Sequence, residues 1–207
     1  MRLILCLMAL VLPLAACSTK PAVYADDAAI RAASYRDPGP AYITVYTVIR
    51  NQTGGGGHSA MLINASQRVI FDPAGSFYLD VVPERNDVLY GITPNVEFYY
   101  RSGHARSTYH VLSQTFRVSP EQAELAFELA KQAGPVADAL CADSVGRILR
   151  QLEGFESVTP TMFPAALSKQ LSQLPGVTEF RYYEDDDPDL QAALADNNTR
   201  LAAQKKQ

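Results

Sequence analysis

Eight consecutive residues, Tyr42-Ile43-Thr44-Val45-Tyr46-Thr47-Val48-Ile49, are β-branched or aromatic without exception. Such side chains lose rotamer freedom in a helix and pack well on a pleated surface, so this run has to be a strand. The sequence downstream offers it partners. A glycine run, 54–57, leads into His58-Ser59-Ala60-Met61-Leu62-Ile63-Asn64. The turn Asn64-Ala65-Ser66-Gln67 joins this to Arg68-Val69-Ile70-Phe71-Asp72, bounded by Pro73 and Gly75. These two runs read as a hairpin. Further strands are expected over residues 96–101 and 107–117.

Helices take over after that. Ser119-Pro120-Glu121-Gln122 supplies Ser at the N-cap, Pro at the first helical position and Gln three residues after the Ser, a capping box. Leu125, Phe127 and Leu129 provide apolar contacts, and Gly134-Pro135 stops the helix. A second helix is expected from Asp138, with Leu140, Val145, Ile148, Leu149 and Leu152 at helical spacing and Gly154 as its end. A shorter one should run from Thr159-Pro160 through Ala165 to Leu174, and residues 177–183 read as a final strand. Strands, then helices, then a returning strand define an α+β domain over residues 41–183, a largely antiparallel sheet packed against helices.

The flanks differ in character. Residues 1–16 carry one charge at Arg2 and are otherwise almost wholly apolar. That is too short for a bilayer span, which takes about 20 residues, and it matches a secretion leader. Leu14-Ala15-Ala16-Cys17 resembles the lipobox of bacterial lipoproteins. The resemblance implies cleavage before Cys17, a lipid on its sulfur and a membrane anchor that does not span. Ser18 stands where an aspartate would favour inner-membrane retention, so the expected location is the outer membrane, facing the periplasm. Residues 17–40 then form a tether, and residues 184–207 an acidic, polar tail expected as a loose exposed helix.

Of the 207 residues, 18 are Lys or Arg and 22 are Asp or Glu, with no basic block. Nucleic-acid binding gets no support from such a balance. The glycine run is followed by a strand and no Lys-Ser/Thr, so it is no phosphate loop. No close His/Cys/Asp cluster is evident in sequence, and neither a metal nor another cofactor is expected.

Cysteine usage narrows the chemistry. Cys6 lies in the leader and Cys17 in the lipobox, which leaves Cys141 without a disulfide partner. Exported cysteines normally pair. Cys141 is therefore either a small buried hydrophobe or a nucleophile. With Asp138 as N-cap it would occupy the first turn of a helix, where free amides and the helix dipole favour a thiolate. A base is then required, from His58, His104 and His110. His58 follows the glycine run, and Asp72 lies on the neighbouring strand of the hairpin, placed to orient it. His104 and His110 read as surface residues beside Arg101 and Arg106, and Phe98-Tyr99-Tyr100 as core filling.

The succession Gly57-His58-Ser59-Ala60-Met61-Leu62-Ile63 on a strand, a second strand ending in an acid, and Cys141 opening a helix resembles the circularly permuted branch of the NlpC-type papain-like cysteine hydrolases. In that branch the histidine precedes the cysteine. The segment Phe116-Arg117-Val118-Ser119-Pro120-Glu121-Gln122 and the stretch Leu140-Cys141-Ala142-Asp143-Ser144-Val145 follow its layout. The likeness covers nearly all of the domain. It implies a papain-like fold, Cys141 as nucleophile, His58 as general base and then acid, and Asp72 as orienting group. Acyl transfer through a thioester follows, with cell-wall peptides or lipid acyl groups as substrates. Leu140 departs from the pattern, since relatives often carry a small polar residue there.

Overall fold

The computed structural model describes residues 23–75 and 77–204; the leader 1–16 and the expected lipidation site Cys17 lie outside the described residues. Along the described residues run α1 (Asp27–Ala33), β1 (Tyr42–Arg50), β2 (Gly56–Asn64), β3 (Arg68–Phe71), β4 (Glu84–Arg85), β5 (Val88–Leu89), α2 (Pro94–His104), β6 (Tyr109–Arg117), α3 (Pro120–Ala133), α4 (Cys141–Leu149), α5 (Pro164–Leu171), β7 (Thr178–Tyr183) and α6 (Leu190–Gln204). The fold is α+β. Its sheet has the order β4-β5-β3-β2-β1-β6-β7, and every pairing is antiparallel. No helix among the described residues is long and apolar enough to cross a membrane.

The β1 run shows no polar–apolar alternation because the sheet is covered on both faces, and even Thr44 and Thr47 are buried. Ile43 and Val45 of β1, Met61 and Ile63 of β2, and Val69 and Phe71 of β3 share one core with Ala126, Val145, Leu149 and Leu167 of α3, α4 and α5. The alternate residues Tyr46, Val48, Ala60, Leu62 and Ile70 meet a second core. It is built from Val96, Tyr99 and Tyr100 of α2, Phe77 and Leu79 of the segment between β3 and β4, and Leu194 and Leu201 of α6. Period-two alternation still operates, but both sets of side chains are apolar when neither face meets water.

The hairpin, β6, β7 and the Ser119 capping box stand where the sequence places them. Four expectations are corrected. Residues 96–101 are not a strand but the middle of α2. Thr93 caps this helix by accepting from the Val96 N–H, with Pro94 in its first turn, and Val96, Tyr99 and Tyr100 recur at helical spacing on the buried face. Asp138 is not an N-cap. The α4 helix starts later, at Cys141, after Leu140, which makes no side-chain cap bond. The helix expected from Thr159-Pro160 begins at Pro164, because Gln170 captures both the N–H and the carbonyl of Thr159 outside it. The tail is not loose: α6 packs Ala193, Leu194 and Leu201 into the core. Within the stretch expected as a tether, α1 buries Ile30, and Ala25 N–H donates to the Glu84 carbonyl at 2.8 Å.

Candidate active site

The imidazole comes from the outer end of β2. Val48 pairs with His58 and Ile49 with Gly56, so Gly57 is the extra residue of a bulge immediately before His58. Bulges re-aim the neighbouring side chain. In the adjacent ladder Met61 pairs with Phe71, which puts Asp72, one residue past β3, on the same face as His58. His58 Nε2 and Asp72 Oδ1 are 2.7 Å apart. The Tyr100 hydroxyl donates to the same carboxylate oxygen at 2.6 Å. A Cβ on Gly75 would lie 1.7 Å from Asp72 Oδ2, so the carboxylate occupies space that only a glycine leaves open.

The thiol comes from the first residue of α4. The first helical hydrogen bond runs from Ser144 N–H to the Leu140 carbonyl. The helix thus gives no acceptor to the amides of Cys141, Ala142 and Asp143. Ala139, two residues earlier, has φ 71°, a left-handed conformation uncommon for alanine that turns the chain into the helix. Cys141 is the free cysteine among the described residues and is buried. His58 and the backbone amides of Ser59 and Ala142 are the groups that stabilise the charge on its sulfur. With Nε2 committed to Asp72, Nδ1 is the ring nitrogen left for the thiol.

The electrostatics follow from that chain of contacts. Burial pushes the Cys141 thiol up, but the hydrogen bond and charge of His58, with the two amides, bring it below its ordinary value. Burial works against the His58 imidazolium too. The Asp72 carboxylate, and then the thiol, outweigh it and push the ring up to about 10. Asp72 resists its own burial through His58, His104 and the Tyr100 hydroxyl and stays below the usual carboxylate range. A buried thiolate–imidazolium pair backed by a carboxylate is what these directions describe.

Two histidines expected on the surface are buried instead. His104, on the inner face of α2, shares its Nδ1 hydrogen with the Tyr100 carbonyl at 2.8 Å and stacks on His58 with ring centroids 5.7 Å apart. His110 pairs with Asn51 Oδ1 at 2.8 Å and stacks on Tyr183. The expectation that no His/Asp cluster exists is also overturned. One ligating atom from each of His58, Asp72 and His104 lies within 4.8 Å of the others. Sequence reasoning missed Tyr100 and His104 because it placed 96–101 on a strand; Thr93-Pro94, parallel to Ser119-Pro120, was the signal available. A cavity of about 290 Å³ opens beside the cluster, lined by Val48, Gly57, His58, Gly75, His104 and Leu190, among others. Cys141 is not among its lining residues.

No family model, curated protein or solved structure matches this chain.

Proposed function

We propose that the protein is a cysteine hydrolase that cleaves an amide through a thioester intermediate, with Cys141 as nucleophile, His58 as acid and base and Asp72 as orienting group. The carrying observation is the 2.7 Å contact between His58 Nε2 and Asp72 Oδ1, on a ring whose other nitrogen is left for the thiol of Cys141. The Cys141 thiolate adds to the carbonyl carbon. The oxyanion so formed finds amides with no helical acceptor at the start of α4. His58 Nδ1 gives its proton to the departing amine, the C–N bond breaks, and an acyl-cysteine remains. Water then loses a proton to His58 and adds to the thioester. Collapse releases a carboxylic acid and restores the thiolate–imidazolium pair.

The resemblance to permuted NlpC-type papain-like hydrolases supports cell-wall peptides as the substrate class. The lipobox-like run ending in Cys17 supports an outer-membrane anchor facing the periplasm. At pH 7 an ordinary thiol is only a few per cent thiolate. Cys141 in the folded protein should react with iodoacetamide at least about fivefold faster than in urea, read by peptide mass spectrometry. His58→Ala should remove the advantage. Wall-peptide cleavage by the wild type should be lost in Cys141→Ala. Cleavage that survives in Cys141→Ala, or a folded thiol no faster than the unfolded one, refutes the assignment and leaves a binding module.

A further inference from the structure

We propose that His58, Asp72 and His104 form a site for one transition-metal dication of the zinc type, whose occupation takes His58 out of the hydrolytic cycle. The consequence rests on the hydrolase reading; the binding rests on the three side chains alone.

The three ligating atoms already converge within 4.8 Å of one another. Ligand atoms about 2.0–2.2 Å from a tetrahedral ion sit roughly 3.3 Å apart. His58 Nε2 and Asp72 Oδ1, at 2.7 Å, must part by about half an ångström on that basis, and His104 must close in. Outer contacts of the kind that orient metal ligands are in place. The Tyr100 carbonyl accepts the Nδ1 hydrogen of buried His104, which makes Nε2 the nitrogen bearing the lone pair. The Tyr100 hydroxyl anchors Asp72. Two imidazoles select zinc-class ions over calcium or magnesium. The cavity lined by both histidines gives an entry path and room for water ligands beside three protein ligands. Arg106 also lines that cavity, but Asp186 at 2.9 Å and Glu184 at 3.6 Å offset its charge, so the entrance does not repel a cation.

Cys141 stays outside the coordination sphere. The convergent cluster comprises His58, Asp72 and His104 without Cys141, whose charge is stabilised instead by His58 and the amides of Ser59 and Ala142. When the ion binds, the proton shared by His58 Nε2 and Asp72 leaves to bulk water. His58 becomes a neutral, metal-bound imidazole that carries its remaining hydrogen on Nδ1. That nitrogen still donates to the sulfur, but giving its only remaining proton to a leaving amine would leave a metal-bound imidazolate, so amide cleavage stops.

Cobalt(II) titration of the purified protein tests the site. One equivalent should bind with visible d–d absorption and without the near-ultraviolet thiolate-to-cobalt band. The spectrum should be unchanged in Cys141→Ser, and affinity should fall at least tenfold in His104→Gln and in Asp72→Asn. Equimolar zinc should slow wall-peptide cleavage at least fivefold, with recovery on adding a chelator. No saturable uptake by the wild type, a thiolate band that vanishes in Cys141→Ser, or full affinity in both ligand variants overturns the proposal. Cobalt uptake with an unreactive Cys141 sinks only the hydrolase reading. A reactive Cys141 without uptake sinks only the metal site.

Discussion

Asp72 is held by what surrounds it more than by its own position on the chain. His58 and the Tyr100 hydroxyl both hold Oδ1, and the gap left at Gly75 makes room for Oδ2. Gly75→Ala should therefore behave as an active-site mutation without touching a reactive atom. A methyl 1.7 Å from Oδ2 displaces the carboxylate, and His58 loses its orienting partner. Cys141 alkylation at pH 7 should drop severalfold; an unchanged rate would mean Asp72 does not govern the ring. The His58 imidazolium also leaves a signature in stability. Its folded pKa, about 10, lies above the ordinary 6.5. Its stabilising contribution is thus complete below about pH 6.5 and is lost as pH rises through 10. Urea unfolding of wild type and His58→Gln should show a stability gap that narrows between pH 6.5 and 10, and a gap that widens over that window contradicts the ion pair. At this scale the sequence was informative where chemistry is rare. One unpaired cysteine and three histidines leave few combinations, and strand register links His58 to Asp72. Tyr100 and His104 were illegible because their roles depend on which face of which element they occupy.

One element decides that face. The aromatic run Phe98-Tyr99-Tyr100 suits a strand by propensity, yet it sits in α2 because Thr93 and Pro94 start a helix and Val96, Tyr99 and Tyr100 then line one side. Tertiary burial of that side overrides the weak β preference of the aromatics. Removing the cap in Thr93→Ala should cost about 1 kcal/mol of stability, measured by urea denaturation. A loss below a few tenths would show that packing alone holds α2. The contrast with α3 is instructive. Both helices begin with a hydroxyl residue and proline, but only Ser119 is followed by Gln122 in a full capping box, and only that signal was strong enough to be read. The start of α4 gave no such signal. Leu140 makes no side-chain cap bond, and the turn that delivers Cys141 depends on a left-handed alanine that no residue preference anticipates.

On the scale of the whole molecule, the acidic tail is a structural part of the second core. Arg106 is buried and binds Asp186 at 2.9 Å, Glu184 at 3.6 Å and the Asp187 carbonyl at 2.6 Å, which ties residues 184–187 to the end of α2. Asn198 Oδ1 accepts from the Asp80 N–H at 2.8 Å, and Leu194 and Leu201 complete the apolar cluster around Tyr100. Composition concealed this, because a segment with few apolar residues reads as solvated when its two buried leucines are seven positions apart. Truncation after Tyr183 removes both leucines and uncovers Arg106. Losing two buried leucine side chains should cost about 3–6 kcal/mol and lower Tm by on the order of 10 °C. Pro188 and Leu190 leave the wall of the cavity with them. The sulfur, however, takes its contacts from β2 and α4, so Cys141 alkylation at pH 7 and below the new Tm should stay within about twofold of the full chain. If instead the truncated chain keeps its Tm and loses thiol reactivity, the tail acts on the nucleophile directly and its place in the core is incidental.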